Sequence, residues 1–148
     1  MRWWWRGRGA GVAGGHTGDE GERIAERYLR RRGYRRLRRN WRNAFGEIDL
    51  VMRGPRPAAA TGPGGRAVRG PRPLVIVEVK AGVRHPRYRP EDHVTADKRR
   101  RLRRLAGQLR RRYGLQHELV RFDVVAVVFD PAGVDPPEVR HHAGAFGG

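Results

Sequence analysis

Apolar residues recur along the chain at two spacings, and these predict helices and strands in alternation. Two stretches, 19–32 and 95–113, carry apolar residues at helical spacing on one face. In the first stretch these residues are Ile24, Ala25, Tyr28 and Leu29, and in the second they are Leu102, Leu105, Ala106, Leu109 and Tyr113. We therefore expect two amphipathic helices, each packed through its apolar face.

Four other stretches predict strands, at 34–42, 47–52, 73–80 and 119–129, and 138–142 is expected to add a short edge strand. The third and fourth contain runs that are apolar on both faces, which is typical of strands in the middle of a sheet covered on both sides. The resulting order, α-β-β-β-α-β, predicts an α/β protein with a mixed central sheet flanked by helices.

Two stretches show no period of either kind. Residues 1–16 are rich in Gly, Arg and Trp and are expected to form a disordered extension, although Trp3–Trp5 stacking on bases or entering a membrane interface is the alternative. Residues 53–73 consist mainly of Pro, Gly, Ala and Arg and are expected to be a flexible insertion in a hairpin. The remainder of 17–146 is predicted to form one domain.

The charge and composition of the chain limit the classes of molecule that we expect it to bind. The 148 residues include 33 Lys and Arg against 15 Asp and Glu, a net charge of +18 that favours polyanions, with nucleic acid first. The chain has no Cys, which excludes disulfides and a cysteine nucleophile. No apolar run approaches the roughly 18 residues that cross a bilayer, and no secretory signal is evident, so we expect a cytoplasmic protein with no membrane partner.

Acidic residues on two predicted strands are brought together by one register. If 47–52 and 73–80 form an antiparallel hairpin, pairing Asp49 with Glu78 also sets Glu47 against Lys80 and keeps apolar residues opposite one another. The other pairs in this register are Val51–Ile76, Leu50–Val77 and Ile48–Val79. Two opposed, buried carboxylates repel unless a cation lies between them, and a hard divalent ion, Mg²⁺ or Mn²⁺, suits such oxygen ligands.

This arrangement has the chemistry of phosphodiester hydrolysis. Two carboxylates hold a metal ion, the metal acidifies a water and shields phosphate charge, and Lys80 positions the nucleophile. Only Lys80 and Lys98 among the 33 basic residues are lysine, and a compact, titratable ammonium explains why position 80 is not arginine. The structural alternative is a cross-strand ion pair between Glu47 and Lys80, because Glu-x-Lys on a strand is by itself a weak signal.

A set of short motifs resembles the YraN-like uncharacterised bacterial family. They are Gly21-Glu22, Asn40 with Gly46-Glu-Ile-Asp-Leu50, Val77-Glu-Val-Lys80, Lys98, Arg121-Phe-Asp-Val124 and Ala145-Phe146. That family is similar to restriction-endonuclease-like nucleases, and in particular to archaeal Holliday-junction resolvases. The resemblance implies a PD-(D/E)xK core in which Asp49 and Glu78 bind metal, Lys80 is the catalytic lysine, and Glu22 on the first helix supplies a further carboxylate.

Other polar residues receive weaker interpretations. Lys98, Arg84 and Arg99 are expected to bind nucleic acid, with a solvated helix face as the alternative for Lys98. Asp123 is expected to form an ion pair with Arg121, and His141-His142 to lie on a surface edge.

The function predicted from these observations is a metal-dependent endonuclease acting on DNA, with branched or structured DNA suggested by the resemblance. A homodimer is implied by analogy with junction-cleaving relatives, since two cuts need two sites. The alternative is a nucleic-acid-binding protein that keeps the nuclease fold without turnover.

Overall fold

A computed structural model describes residues 17–87 and 89–147 of the chain. Helix α1 spans Thr17–Arg30 and helix α2 spans Ala96–Tyr113. Strands β1 to β7 are, in order, Arg35–Asn43, Gly46–Arg53, Ala60–Thr61, Ala67–Val68, Leu74–Val83, Val120–Phe129 and Glu138–Phe146. Two short 3₁₀ helices lie at Pro63–Gly65 and Pro90–His93. The predicted extension at 1–16, with Trp3–Trp5, lies outside the described residues.

Five strands form one mixed sheet in the order β1-β2-β5-β6-β7. Its neighbours are antiparallel except for β5 and β6, which run parallel and are joined through α2. This confirms the α/β class and the restriction-endonuclease-like arrangement of a mixed sheet flanked by helices. β7 is longer than the predicted edge strand, because its pairing with β6 continues as far as Phe146 opposite Phe122.

Each helix covers one face of the sheet. The α1 face buries Ala25 and Leu29 against Leu50 and Val77, among other apolar side chains. The α2 face buries a second cluster, which includes Ile48, Ile76, Leu102, Leu105 and Leu109. Burial of side chains this size from water is the main stabilising term for such a sandwich of layers.

The ends of α2 follow from its capping residues. The Thr95 hydroxyl accepts a hydrogen bond from the Lys98 backbone N–H at 3.2 Å, and Gly114 ends the helix in the left-handed conformation. The prediction that Tyr113 belongs to the apolar stripe is wrong, since it is 39% exposed. The guanidinium of Arg38 lies over its ring, 4.8 Å from the centroid, so this last-turn side chain faces a charged surface.

The register between β2 and β5 is confirmed only in its first part. Leu50 pairs with Val77 and Val51 with Ile76, as expected, but the ladder ends there and includes no pair of Asp49 with Glu78. Regular strand alternation would put Ile48 and Leu50 on one face, but Ile48 packs on the α2 side and Leu50 on the α1 side. β2 therefore loses its regular alternation at Asp49.

The insertion between β2 and β5 holds little structure of its own. It contains a two-stranded sheet of β3 and β4, two residues each, and almost all of its side chains are exposed. Its predicted flexibility stays a prediction. Within the described parts of the chain, none of the helices is long and apolar enough to cross a bilayer.

Candidate active site

Asp49 lies where β2 and β5 separate. Its carboxylate Oδ2 accepts a hydrogen bond from the backbone N–H of Val79 at 2.7 Å. A side chain thus bonds a backbone group of β5 just beyond the last ladder pair, Leu50 with Val77. The Asp49 side chain is thereby tied to the segment that carries Glu78 and Lys80.

Glu78 is the centre of a buried charge cluster. The residue is 3% exposed, its Oε1 lies 2.9 Å from Lys80 Nζ, and its Oε2 lies 3.2 Å from Lys98 Nζ. Lys80 points the same way as Glu78 because the two are two residues apart on one strand. Lys98 comes from the first turn of α2, where its backbone N–H donates to the Thr95 hydroxyl that caps the helix.

The electrostatics of Asp49 follow from its surroundings. Burial raises the pKa of its carboxyl well above the ordinary value, and the negative charge of Glu78 raises it further. The Val79 N–H and the Lys98 ammonium act in the opposite direction and do not offset these causes. A divalent cation bound beside Asp49 would relieve this opposition to its ionisation.

Glu22 reaches the same region from α1. Gly21 lets the helix lie close against β5, since a Cβ at this position would be 2.5 Å from the Cβ of Ala81. Glu22 is buried, and its Oε2 lies 3.6 Å from Nη2 of Arg39. The pKa of Glu22 is raised, chiefly by burial and also by the charges of Asp19 and Glu47, although Arg39 and the Asn40 amide act to lower it.

The residues fit a hard divalent ion bound chiefly by two carboxylates. In residues 17–87 and 89–147 no group of three or more His, Asp or Glu side chains is close enough to hold a metal by itself. Mg²⁺, however, is commonly held by one or two carboxylates and completes its shell with water and substrate phosphate. Asp49 and Glu78 are the two carboxylates that would hold such an ion. Glu22 Oε2 and Asn40 Oδ1 are buried oxygens without a hydrogen-bond donor in the described structure.

The alternative interpretation of these strands, a cross-strand ion pair between Glu47 and Lys80, is wrong. Glu47 pairs with Arg42, with its Oε1 and Oε2 each 3.1 Å from a guanidinium nitrogen, so it is not the partner predicted for Lys80. The ladder of β1 and β2 places Arg42 opposite Glu47, which explains the choice. The ammonium of Lys80 instead lies 2.9 Å from Glu78.

The residues expected to bind nucleic acid occupy different surroundings. Lys98 is mostly buried on Glu78, so the solvated-face alternative is wrong. The Arg99 Nε donates to the Val94 carbonyl at 3.1 Å and its guanidinium lies over the Phe146 ring. Arg84 follows the end of β5 and is exposed, 4.0 Å from Glu138. Their binding of nucleic acid stays a prediction.

Two residues beside the carboxylates were not assigned a role from the sequence. Arg39 and Asn40 lie on β1 next to Glu22, and Asn40 entered only as part of the motif set. An arginine in a run of arginines carries no periodic signal that separates it from its exposed neighbours. The one available sign was the presence of an Asn inside a strand, where that residue type is depleted.

Asp123 belongs to a separate buried network. Its predicted ion pair with Arg121 is confirmed, with two contacts of 2.8 Å, and it also lies 2.8 Å from His141 Nε2. The Gly144 N–H adds a fourth contact at 3.0 Å. Burial raises the pKa of Asp123, but these hydrogen bonds more than offset it and hold the pKa below its ordinary value.

The surface-edge prediction for His141 is wrong, although it holds for His142. The ring of His141 packs edge-on against Tyr28 and Tyr34, and its side chain is 10% exposed because β7 continues along β6 beside Asp123. His142 faces the other way and is exposed.

Comparison with known proteins places the chain in a family. The model of the uncharacterised protein family UPF0102 matches residues 21–127, which include all three carboxylates and both lysines of the site. The chain belongs to family UPF0102. A UPF0102 protein of Rhodococcus jostii (strain RHA1) is 38% identical over 130 residues, covering 87% of this chain and 94% of that protein. UPF0102 proteins of Pelobacter propionicus and Anaeromyxobacter dehalogenans are 34% and 36% identical over 131 and 145 residues. These alignments cover 88% and 94% of this chain and 82% and 94% of the two UPF0102 relatives.

Proposed function

We propose that this UPF0102 protein is a divalent-metal-dependent endonuclease that hydrolyses phosphodiester bonds in DNA. The observation that carries the proposal is the juxtaposition of Asp49, Glu78 and Lys80 at the point where β2 and β5 separate. Lys80 Nζ lies 2.9 Å from Glu78, and the pKa of Asp49 is raised by burial and by the charge of Glu78. Branched DNA is the substrate form that the resemblance to junction-cleaving nucleases favours.

The roles of the residues follow from their chemistry. Asp49 and Glu78 would hold Mg²⁺ or Mn²⁺, which when bound supplies Lewis-acid stabilisation of phosphate charge and acidifies water. Lys80, anchored by Glu78, donates hydrogen bonds to the attacking water and orients it toward phosphorus. Lys98 adds positive charge on the other side of Glu78, where a phosphate oxygen gains from it. Glu22, whose negative charge also raises the pKa of Asp49, is the auxiliary carboxylate.

The charge of the whole chain supports a polyanionic substrate. A net charge of +18 concentrates nucleic acid near the protein and speeds encounter at low salt. Because two cuts in a branched DNA need two sites, we also propose that the active form on such a substrate is a homodimer. A molar mass from light scattering near the 16.9 kDa of one chain, with branched DNA cleaved on both strands, would contradict the dimer.

One observation favours a second candidate function, binding of nucleic acid without turnover. Both carboxylate oxygens of Glu78 already have an ammonium partner, from Lys80 and from Lys98. The negative charge of Glu78 is therefore balanced by the protein alone, as in a purely structural cluster, although its buried Oε2 has no hydrogen-bond donor in the described part of the chain. This candidate predicts tight, salt-dependent binding with no dependence on divalent metal.

Cleavage of a panel of linear, flapped and four-way DNA in Mg²⁺ or Mn²⁺ tests the nuclease. We expect Asp49→Asn, Glu78→Gln and Lys80→Ala each to lower the rate by about 100-fold or more. Lys80→Arg should not restore it, because a planar guanidinium cannot reproduce the compact ammonium.

The matched control is Asp97→Asn, an exposed carboxylate on the first turn of α2 that pairs with Arg100. It should cleave at the wild-type rate. Activity that persists in Lys80→Ala and Glu78→Gln would show that a contaminant does the cutting. Binding without cleavage of any substrate would favour the second candidate.

A further inference from the structure

We propose that Asn40 is a positioning residue of this site, which orients Glu22 and Asp49 toward their shared cation without binding the cation itself. The inference rests on the proposed metal site, and it concerns a residue of β1 that contributes neither charge nor a metal-binding carboxylate. Three independent features of Asn40 support it: its backbone conformation, its place in the sheet, and the contacts of its amide.

The backbone of Asn40 is left-handed in the middle of a strand. Its φ is +50°, and it is the one non-glycine residue with a positive φ among those that the structure describes. Asn tolerates this conformation better than most residues, but it remains unfavourable relative to ordinary strand geometry. A strained residue retained inside a paired strand is a feature that clusters at functional sites.

The position of Asn40 in the sheet connects its strained backbone with the irregularity of β2 at Asp49. It lies between the pairs Arg39–Leu50 and Trp41–Ile48, at the point of the ladder that faces Asp49. β2 changes face there, because Leu50 packs on the α1 side whereas Ile48 packs on the α2 side. The left-handed turn at Asn40 accompanies the irregularity that directs Asp49 away from the ladder and onto the Val79 N–H.

The amide of Asn40 links this irregular point to α1. This amide lowers the pKa of Glu22, and Oε2 of Glu22 lies 3.6 Å from Nη2 of Arg39. Asn40 Oδ1, Glu22 Oε2 and Arg39 Nε are all buried without a hydrogen-bond partner in the described part of the chain. Native interiors satisfy most such groups, so three of them on adjoining side chains mark a place where stability is given up for another purpose.

These features give Asn40 the role of an outer-shell partner. Groups that hydrogen-bond to metal-binding carboxylates fix the orientation of those carboxylates, and removing them commonly weakens metal binding by 10- to 100-fold. Asn40 reaches Glu22 through its amide and Asp49 through the shape of the strand. Its loss should therefore weaken the binding of a cation even though every carboxylate remains.

Calorimetric titration of the full chain with Mn²⁺ tests the proposal without requiring cleavage. Asn40→Gly keeps the left-handed backbone accessible and removes the amide, and we expect about 10- to 100-fold weaker Mn²⁺ binding with a thermal midpoint within a few degrees of wild type. Asn40→Ala removes the same amide and disfavours the left-handed backbone, so its thermal midpoint should fall below that of Asn40→Gly.

Asn43→Ala is the matched control, since Asn43 lies on the same strand, is exposed, and caps the turn to β2 by accepting the Phe45 N–H. It should bind Mn²⁺ as wild type does. Unchanged Mn²⁺ affinity in Asn40→Gly, with affinity lost in Glu78→Gln, would overturn the inference and leave the proposed function standing. Equal loss in Asn40→Gly and Asn43→Ala would also overturn it.

The remaining outcomes separate the two proposals. Wild-type protein that binds no Mn²⁺ would overturn both. Weaker Mn²⁺ binding in Asn40→Gly, with no cleavage of any DNA by wild type, would support the inference and overturn the nuclease.

Discussion

Among the single side chains, Asp49 has a pKa that links the site to the stability of the fold. Burial and the charge of Glu78 raise the pKa of Asp49 in the folded state, so the folded chain holds a proton that the unfolded chain releases. Between the ordinary pKa of Asp, about 3.9, and the raised value, the free energy of unfolding therefore falls as the pH rises. At neutral pH this raised pKa lowers the free energy of unfolding of the metal-free protein, relative to a carboxyl group with the ordinary pKa.

Asp49→Asn should therefore stabilise the metal-free protein at pH 7. The amide oxygen can still accept the Val79 N–H, while the unfavourable charge is gone. We expect a thermal midpoint several degrees higher than wild type in a chelator, since 1 kcal/mol moves the midpoint of a chain this size by about 3 °C. The difference should shrink as the pH is lowered toward 4.

Asp97→Asn serves as the comparison for this measurement, because Asp97 is exposed and lies outside the carboxylate cluster. A rise in midpoint with both variants would point to a general effect of lowering negative charge. A midpoint for Asp49→Asn that lies below wild type at every pH would contradict the electrostatic argument.

At the scale of elements, the contact between α1 and β5 sets where Glu22 lies. Gly21→Ala should be destabilising, because the new methyl group would meet the Cβ of Ala81 at 2.5 Å and push the helix from the sheet. We expect a loss of about 1–3 kcal/mol in the free energy of unfolding measured in urea. The same displacement should weaken Mn²⁺ binding, since it moves Glu22.

Gly18 on the same helix provides the control. A Cβ at Gly18 would have nothing within 4 Å, so Gly18→Ala should leave stability unchanged or raise it by up to about 1 kcal/mol. Adding Ala81→Gly to Gly21→Ala should recover part of the loss, because it removes the methyl that collides. Additive effects of these two changes would show that the contact is not what limits the position of α1.

Elements that follow from local pattern could be predicted from sequence, whereas their irregular points could not. The pairs Leu50–Val77 and Val51–Ile76 follow from alternation, because a slip of one residue would bury carboxylates among valines. The break at Asp49 depends on a left-handed Asn40 and on a backbone N–H taken by a side chain. Neither of these two features produces a hydrophobic periodicity that can be detected in the sequence.

Contacts between segments that are distant in the sequence could likewise not be predicted from the hydrophobic pattern. Lys98 lies 3.2 Å from Glu78, and this contact between α2 and β5 depends on the path of the loop between them rather than on the pattern within α2. The length of β7 depends on Asp123 accepting from the Gly144 N–H, a contact that joins two strands. Residues such as Ala143 and Gly144 carry no strand signal of their own.

At the scale of the whole molecule, the net charge of +18 should dominate binding to nucleic acid. We expect the affinity for duplex DNA, measured by fluorescence anisotropy in a chelator, to fall steeply as the salt concentration rises. The slope of log affinity against log salt concentration should be about −0.9 for each phosphate contact. Arg84→Ala should reduce the magnitude of that slope by about 1, since Arg84 is exposed just beyond the end of β5.

Arg53→Ala is the matched control for this slope. Arg53 is held by both carboxylate oxygens of Glu118, so its charge is already balanced by a partner. Its removal should leave the slope unchanged. A slope near zero for wild type would exclude nucleic acid as the partner of the basic surface, whatever the carboxylates do.

The insertion leaves and rejoins the sheet at the pair of Arg53 with Leu74, whereas Asp49, Glu78 and Lys80 lie toward the opposite end of the same two strands. At about 3.3 Å per residue, this places the attachment points roughly 13–20 Å from the carboxylates. Engineering can exploit that distance. A fluorophore or an affinity tag grafted between β3 and β4 reports on the protein from a remote site, and replacing the segment by a tight turn trims the chain while leaving its chemistry in place.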